Sequence, residues 1–302
     1  MTGCARSSVL DGKIMVYLLA IGSALLYGAA DFTGGLTTRR VGTIPVVVVS
    51  QASGLIMLAL ILPFLPPATP SRGDLLWGAA AGLTGSIGVA LLYRALAIGV
   101  MAVVAPTTAV CAVTIPVVVS VLLGERPVPL TVAGIGLGIA SIVLVSRQQA
   151  TGESARRAVI SPHGRHSGVG TALASGVAIG FFFLTLAQTG SGAGMWPLLM
   201  SRLLSVALFT TVAVVGRISI RMPARVAALV ILCGVIDMVA NALYLLAARQ
   251  GQLSVVVTLS SLYPASTVLL ARVVLGERLN LWQISGVGCA LAAIVLIVGG
   301  GR

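Results

Sequence analysis

Charged and amide side chains stand inside long apolar runs of this sequence, where they are costly. Asp31 falls in the run 14–36, Gln51 in 44–65, Arg94 late in 75–98, Arg202 in 195–216 and Asp237 in 224–248. A charge at the centre of a membrane-spanning helix costs about 2.5–3.5 kcal/mol on insertion scales, so it is kept where it meets a partner or lines a water-filled path. One acid and one base in each half of the chain predict two ion pairs, Asp31 with Arg94 and Asp237 with Arg202. Asp237, Asn241 and Tyr244 are spaced i, i+4, i+7, which puts them on one stripe of a helix, opposite Val235, Met238, Val239 and Leu243. A polar stripe against an apolar one faces a cavity. Burial and a neighbouring guanidinium act on the Asp237 proton in opposite senses. The chemistry expected is therefore solute binding with proton exchange, Asp237 leading and Asp31 secondary.

Prolines mark the same region. Pro106 and Pro116 interrupt the run 101–123, and Pro264 interrupts 253–275. An interior proline removes a backbone hydrogen bond and kinks a helix. In a membrane the freed carbonyls need Ser, Thr, water or solute. Thr107 and Thr108 beside Pro106, and Ser260, Ser261 and Tyr263 beside Pro264, could meet that need. With Tyr93, these residues complete the candidate solute or ion pathway: Asp31, Gln51, Tyr93, Arg94, Arg202, Asp237, Asn241, Tyr244, Ser260, Ser261 and Tyr263.

The elements that position them are helices. The chain has 302 residues, 58% hydrophobic and 9% charged, against about 25% charged in a soluble domain. Too few charges remain to coat a water-facing surface. Ten apolar runs have helix length: the five above that hold charged or amide side chains, the two with prolines, and 130–146, 168–189 and 281–299. The expected fold is an all-α membrane protein with ten transmembrane helices, residues 1–146 and 168–302 forming two five-span units joined by a polar linker at 147–167.

Several function classes are set aside. The net charge is +12, but the basic residues lie between apolar runs and form no patch interleaved with aromatics, so no nucleic-acid partner is expected. His163 and His166 are in the linker and no CxxC occurs among four cysteines. Neither a metal site nor a cofactor is expected, and no HExxH, nucleophile elbow or phosphate loop suggests an enzyme.

The halves repeat at an offset of 152 residues. Gly124-Glu125-Arg126 meets Gly276-Glu277-Arg278, Pro45 meets Pro197, Gly134 and Gly136 meet Gly286 and Gly288, and one residue of slippage sets Tyr93 opposite Tyr244. An odd number of spans per repeat turns the second half over. That inverted-topology arrangement belongs to many secondary transporters, with the solute site near the midplane. Gly78 and Gly82, and Gly134 and Gly138, form GxxxG spacings that let helix backbones approach.

On these marks the chain resembles the EamA-type members of the drug/metabolite transporter superfamily from residue 14 to 299. The resemblance rests on Leu123-Gly124-Glu125-Arg126 and Leu275-Gly276-Glu277-Arg278, each closing the fourth helix of a repeat, and on the opening-helix segment Leu26-Tyr27-Gly28-Ala29-Ala30-Asp31-Phe32. It implies a secondary transporter of small organic solutes, metabolites or drugs. Transport would run by alternating access, outward rather than inward, in a bacterial inner membrane among lipids. The rival readings are a lipid or polyprenyl-lipid flippase, which needs a cavity open sideways to lipid, and a membrane-embedded lipid-modifying enzyme, which needs a catalytic cluster near one face. Solute, coupling ion and homo-oligomerisation are left open. So is the side of the termini: the resemblance implies cytoplasmic ends, whereas the distribution of Arg and Lys favours external ones.

Five crossings between the linker and either terminus fix a parity. Topology reporters fused at Ser161 and after Arg302 are expected in opposite compartments. Finding both in the same compartment would exclude the five-plus-five arrangement.

Overall fold

The computed structural model of the chain describes residues 2–122, 128–147, 168–250, 259–260, 262–276 and 281–299. Ten α-helices stand among them: α1 Thr2–Val41, α2 Thr43–Ile61, α3 Arg72–Ile98, α4 Met101–Leu122, α5 Pro129–Arg147, α6 Val169–Ala187, α7 Trp196–Val215, α8 Ala224–Gln250, α9 Tyr263–Leu275 and α10 Leu281–Gly299. The triplet Gly124-Glu125-Arg126, the pair Glu277-Arg278, residues 148–167 of the linker and Ser261 lie outside the described residues.

Local chemistry sets the ends. α1 runs five residues past the expected Leu36 and stops at Gly42, whose φ of 86° suits a residue without Cβ. α3 starts earlier than expected because Ser71 and Asp74 form a capping box: Asp74 N donates to Ser71 Oγ (3.1 Å) and Ser71 N donates to Asp74 Oδ2 (2.8 Å). α9 requires a correction. Pro264 does not kink a continuous helix but sits in its first turn, where the fixed φ fits and the missing N–H is not needed.

Among the described residues, six helical stretches are long and apolar enough to cross a membrane, rather than the ten expected. They are Ile14–Val41, Thr43–Phe64, Arg72–Ile98, Val169–Ala187, Trp196–Val215 and Ala224–Ala247. Four shorter apolar segments, Met101–Ile115, Val132–Ser141, Tyr263–Leu275 and Ile284–Leu296, lie in α4, α5, α9 and α10. Large apolar side chains cover the outside: Phe64, Leu76, Leu122, Val215, Val273 and Leu281 are all exposed. Water would not tolerate such a coat, whereas lipid tails do. The chain is a multi-pass transmembrane protein.

Helix packing has a symmetry. α1 packs on α8 and α3 on α6; α2 on α8 and α7 on α3; α1 on α9 and α6 on α4. Each pair becomes the other when every helix is exchanged for the one five places along. α2 with α7, α4 with α9 and α5 with α10 meet their own counterparts. α3 and α6 run antiparallel, since Gly99 lies beside Gly168 at one end and Asp74 Oδ1 accepts from Gly190 N (2.7 Å) at the other. α1 and α8 do likewise: Ser23 Oγ donates to the Ala240 carbonyl (2.9 Å) and Cys233 Sγ to the Ala30 carbonyl (3.3 Å).

Apolar side chains do not drive helices together in lipid, so close backbone approach matters more. Gly82 lies against the Ser201 backbone, where a Cβ would come within 2.4 Å of the carbonyl oxygen; at the equivalent place Gly234 leaves 1.9 Å to the Ser50 oxygen. Backbone cannot step aside. Gly82→Val and Gly234→Val are each expected to lose stability, by at least the ~1–3 kcal/mol of overpacking. Gly136 and Gly288 face open space, so Gly136→Ala and Gly288→Ala should hold or gain up to about 1 kcal/mol of helix propensity. Thermal melting in detergent separates the two sets, and equal melting temperatures would refute the packing role.

Candidate functional site

Three helices bring the central cluster together. The stripe Cys233, Asp237, Asn241 and Tyr244 of α8 turns inward, while Ile231 and Leu232 face out. α7 carries Arg202 into the middle of the bundle, and α2 carries Gln51; both are buried. The Arg202 guanidinium donates through Nη1 to Gln51 Oε1 and through Nη2 to Asp237 Oδ2, in direct contact with both. Asn241 Nδ2 donates to the Asp237 carbonyl at 2.8 Å and reaches its Oδ2 at 3.5 Å. A guanidinium meets two acceptors with its planar fork, which an ammonium could not do as well.

Gln51 and Arg202 are 151 residues apart, the spacing of Tyr93 and Tyr244. They are thus counterparts in the two repeats, meeting where α2 touches α7. By the same spacing Asp237 corresponds to Gly85-Ser86 and Asp31 to Phe182-Phe183. The backbone repeats but the charges do not.

The expected pair of Asp31 with Arg94 is not formed. Tyr93 is 1% exposed, packed where Gly34 of α1 leaves room for its ring. One residue later the helix has turned by about 100°, so Arg94 points outward and is exposed. It lies near the end of α3, where a long side chain reaches the interface. Asp31 is 8% exposed and has no hydrogen bond or ion pair with another described residue. From the α1–α8 register, in which 30 faces 233 and 23 faces 240, Tyr27 stands level with Asp237. Asp31 lies about 7–8 Å along the axis, at 1.5 Å per residue.

Around these carboxyls stand aromatic rings. Tyr27 and Tyr263 meet edge to face with centroids 6.3 Å apart, and Phe183 lies 6.2 Å from Tyr244. Tyr27, Tyr244 and Tyr263 are half-buried. Tyr93 differs: its hydroxyl contacts Cys233 Sγ at 3.3 Å, so it is core packing rather than pathway lining. Ser260 ties its segment to α1 by donating to the Ala20 carbonyl (3.4 Å). α4 is helical without a break through Pro106 and Pro116. Thr107 Oγ1 bonds back to the Val103 carbonyl (2.9 Å) and Thr108 Oγ1 crosses to the Ala172 carbonyl of α6 (3.2 Å).

Tyr27, Cys233 and Phe183 were missed as site residues. Tyr27 and Asp31 share the i, i+4 spacing that drew attention to Asp237 and Asn241, and Phe181-Phe182-Phe183 stands out in a chain that is 5% aromatic. Among the described residues no group of three or more His, Cys, Asp or Glu could hold a metal ion.

A sequence profile described as the EamA-like transporter family matches the chain twice, over residues 14–147 and 166–299. Thirteen solved chains match. One, described simply as the crystal structure of a protein, has a TM-score of 0.59 and 16% identity and covers 93% of this chain and 95% of its own. That likeness is one of fold. No curated protein matches.

The Arg202–Asp237 contact generates a stability contrast. Asp237→Ala strands a buried guanidinium and is expected to cost about 3–5 kcal/mol. The double change Asp237→Leu with Arg202→Met removes both charges and should recover most of the loss. Asp31→Asn removes no bond and should melt within a few degrees of wild type. Equal losses for the single and double variants would refute the pairing.

Proposed function

The chain belongs to the EamA-like transporter family, and from that premise we propose that it is a ten-span secondary exporter of small organic solutes in a bacterial inner membrane, driven by proton entry. The observation that carries the reading is the buried polar cluster of Gln51, Arg202 and Asp237, with a second buried carboxyl, Asp31, on α1 and the ring pairs Tyr27–Tyr263 and Phe183–Tyr244 beside them. Buried ionisable groups at mid-membrane belong to pathways and relays.

Ten crossings are supported by which connections touch. Thr69 N, before α3, donates to the Gly192 carbonyl, after α6 (3.3 Å), beside the Asp74–Gly190 bond. At the other ends Arg39 donates to the carbonyls of Leu96 (3.1 Å) and Gly99 (3.3 Å). Connections that touch lie on one side of a membrane, so an even number of crossings separates Thr69 from Gly192. Four full crossings by α3 to α6 meet that condition. The exchange symmetry of the contacts supports two inverted halves, and alternating access is a rocking of one against the other.

The geometry favours exchanging the proton roles that the sequence suggests. Asp237 is held by Arg202 and Asn241, so it suits a latch between α7 and α8. Asp31 has no partner to displace, so it suits proton exchange. A proton on Asp31 removes a charge facing Asp237 and alters the field on that latch.

Vesicles containing the purified chain and a trapped pH-reporting dye test this reading. A panel of small organic solutes is added outside, each with and without an imposed pH gradient. At least one solute is expected to move protons across the wild-type vesicle. Asp31→Asn should uncouple solute movement from the gradient while sparing exchange at equal pH. Gradient-driven movement that survives Asp31→Asn would overturn the proton role, and no movement of any solute would overturn transport.

A further inference from the structure

We infer that the end of the bundle formed by the close of α1 and the α7–α8 connection binds the headgroups of anionic phospholipids. Helix register brings its arginines together. Along the antiparallel pair α1 and α8, Ser23 faces Ala240 and Ala30 faces Cys233, so Thr38 stands level with Arg225. Arg39 and Arg40 follow in the last turn of α1. Arg217 and Arg221 stand in the stretch that leads into α8. Arg39 donates to the carbonyls of Leu96 and Gly99, which places the close of α3, with Arg94, at the same end. All six arginines are exposed.

No carboxylate balances them among the described residues. Asp31 and Asp237 are buried within the bundle. Asp11 lies near the start of α1 and Asp74 near the start of α3, both at the opposite end. The guanidinium groups of Arg40, Arg94, Arg217, Arg221 and Arg225 have no hydrogen bond or ion pair with another described residue.

The repeat places an acid where this end has an arginine. At the 151-residue spacing of Gln51 and Arg202, Arg225 corresponds to Asp74 and Arg39 to Gly190. At the opposite end Asp74 Oδ1 accepts from Gly190 N (2.7 Å), and Thr69 N donates to the Gly192 carbonyl (3.3 Å). A carboxylate there joins two connections of the chain. Here the equivalent places hold like charges, which repel, so the joining anion must come from outside. A phosphate group fits, because its oxygens accept the paired N–H groups of a guanidinium and can bridge two arginines.

The apolar residues between the arginines select a lipid as the source of that phosphate. Ile218 and Ile220, flanked by Arg217 and Arg221, are 38% and 47% exposed. Basic and apolar side chains that alternate on an exposed segment suit the edge of a bilayer, with guanidiniums among headgroups and isoleucines among acyl chains. Free phosphate would leave the isoleucines uncovered, whereas a phospholipid covers them with its own chains.

Native mass spectrometry of the full chain, titrated with phosphatidylglycerol or with phosphatidylcholine of the same acyl chains, tests the inference. The wild type is expected to bind phosphatidylglycerol at least about tenfold more tightly, since each basic residue near an anionic headgroup contributes several-fold. Changing Arg217, Arg221 and Arg225 together to Gln should erase most of that preference. Changing the same three to Lys keeps the charge and should retain it, even if the Gln variant folds poorly. Arg72→Gln, at the opposite end, should leave it unchanged. Equal binding of the two lipids, or a preference that survives the triple Gln change, would overturn the inference. So would a preference lost equally in Arg72→Gln, which would reflect overall charge alone. Displacement of the lipid by inorganic phosphate would make the occupant a free anion and overturn the lipid.

Discussion

A guanidinium inside a lipid-facing bundle constrains everything around it. Arg202 cannot be left without acceptors at that depth, so α2 and α8 must bring Gln51 and Asp237 to it. Their approach in turn requires that helix backbones touch. Gly82 and Gly234 supply that touch at equivalent places, one on the Ser201 backbone and one on the Ser50 backbone. The polar contacts and the glycines are therefore one device. Replacing a glycine with a larger residue would pull the acceptors away from the guanidinium as well as lose contact area. In lipid, where apolar association is weak, such combined packing and hydrogen bonding is what holds helices in register.

The repeat explains the shape of the interior but not its chemistry. Each helix has a counterpart five places on, and the contacts exchange accordingly. Yet the counterpart of Asp237 is Gly85-Ser86, and that of Asp31 is Phe182-Phe183. One side of the interior, built on α1 and α8, is acidic and hydroxylic. The other, built on α3 and α6, is aromatic and small. Symmetric backbones can rock against each other, while unlike walls can hold the two ends of an amphipathic molecule. Gln51 facing Arg202 belongs to the same logic: two identical basic side chains meeting near the axis would repel, and a neutral amide opposite a guanidinium hydrogen-bonds instead.

Much of this was legible in the residues, and most of what was not turns on the direction in which a side chain points from its helix. Hydropathy locates helices and depth, so the apolar runs and the α8 stripe could be read directly. Arg202 and Asp237 lie on adjacent helices of the chain, and their pairing followed from depth and charge. Asp31 and Arg94 also match in charge, but pairing depends on azimuth. The direction in which Arg94 points is set by Tyr93 packing into the space that Gly34 leaves on α1, a contact between residues 59 apart in sequence. Likewise Tyr27 lies beside Tyr263 only because α1 packs on α9. Proline was ambiguous for another reason: the same ring kinks a helix from within or starts one, and Pro264 starts α9.

Asp31 has no described partner, and in the proposed carrier that would leave its carboxyl open to a solute or a proton. A binding group satisfied within the protein gains little from a solute, because every new bond replaces an old one. A group left unsatisfied inside the bundle gains much, but only from a ligand of the right charge. Such a group must also be able to let go, since a site that never releases carries nothing. A carboxylate meets both needs, because a proton can bind and leave its oxygens. Arg202 is already engaged by Gln51 and by its ion-pair partner. Asp237 is that partner, which leaves Asp31 as the buried carboxyl with no hydrogen bond or ion pair to another described residue.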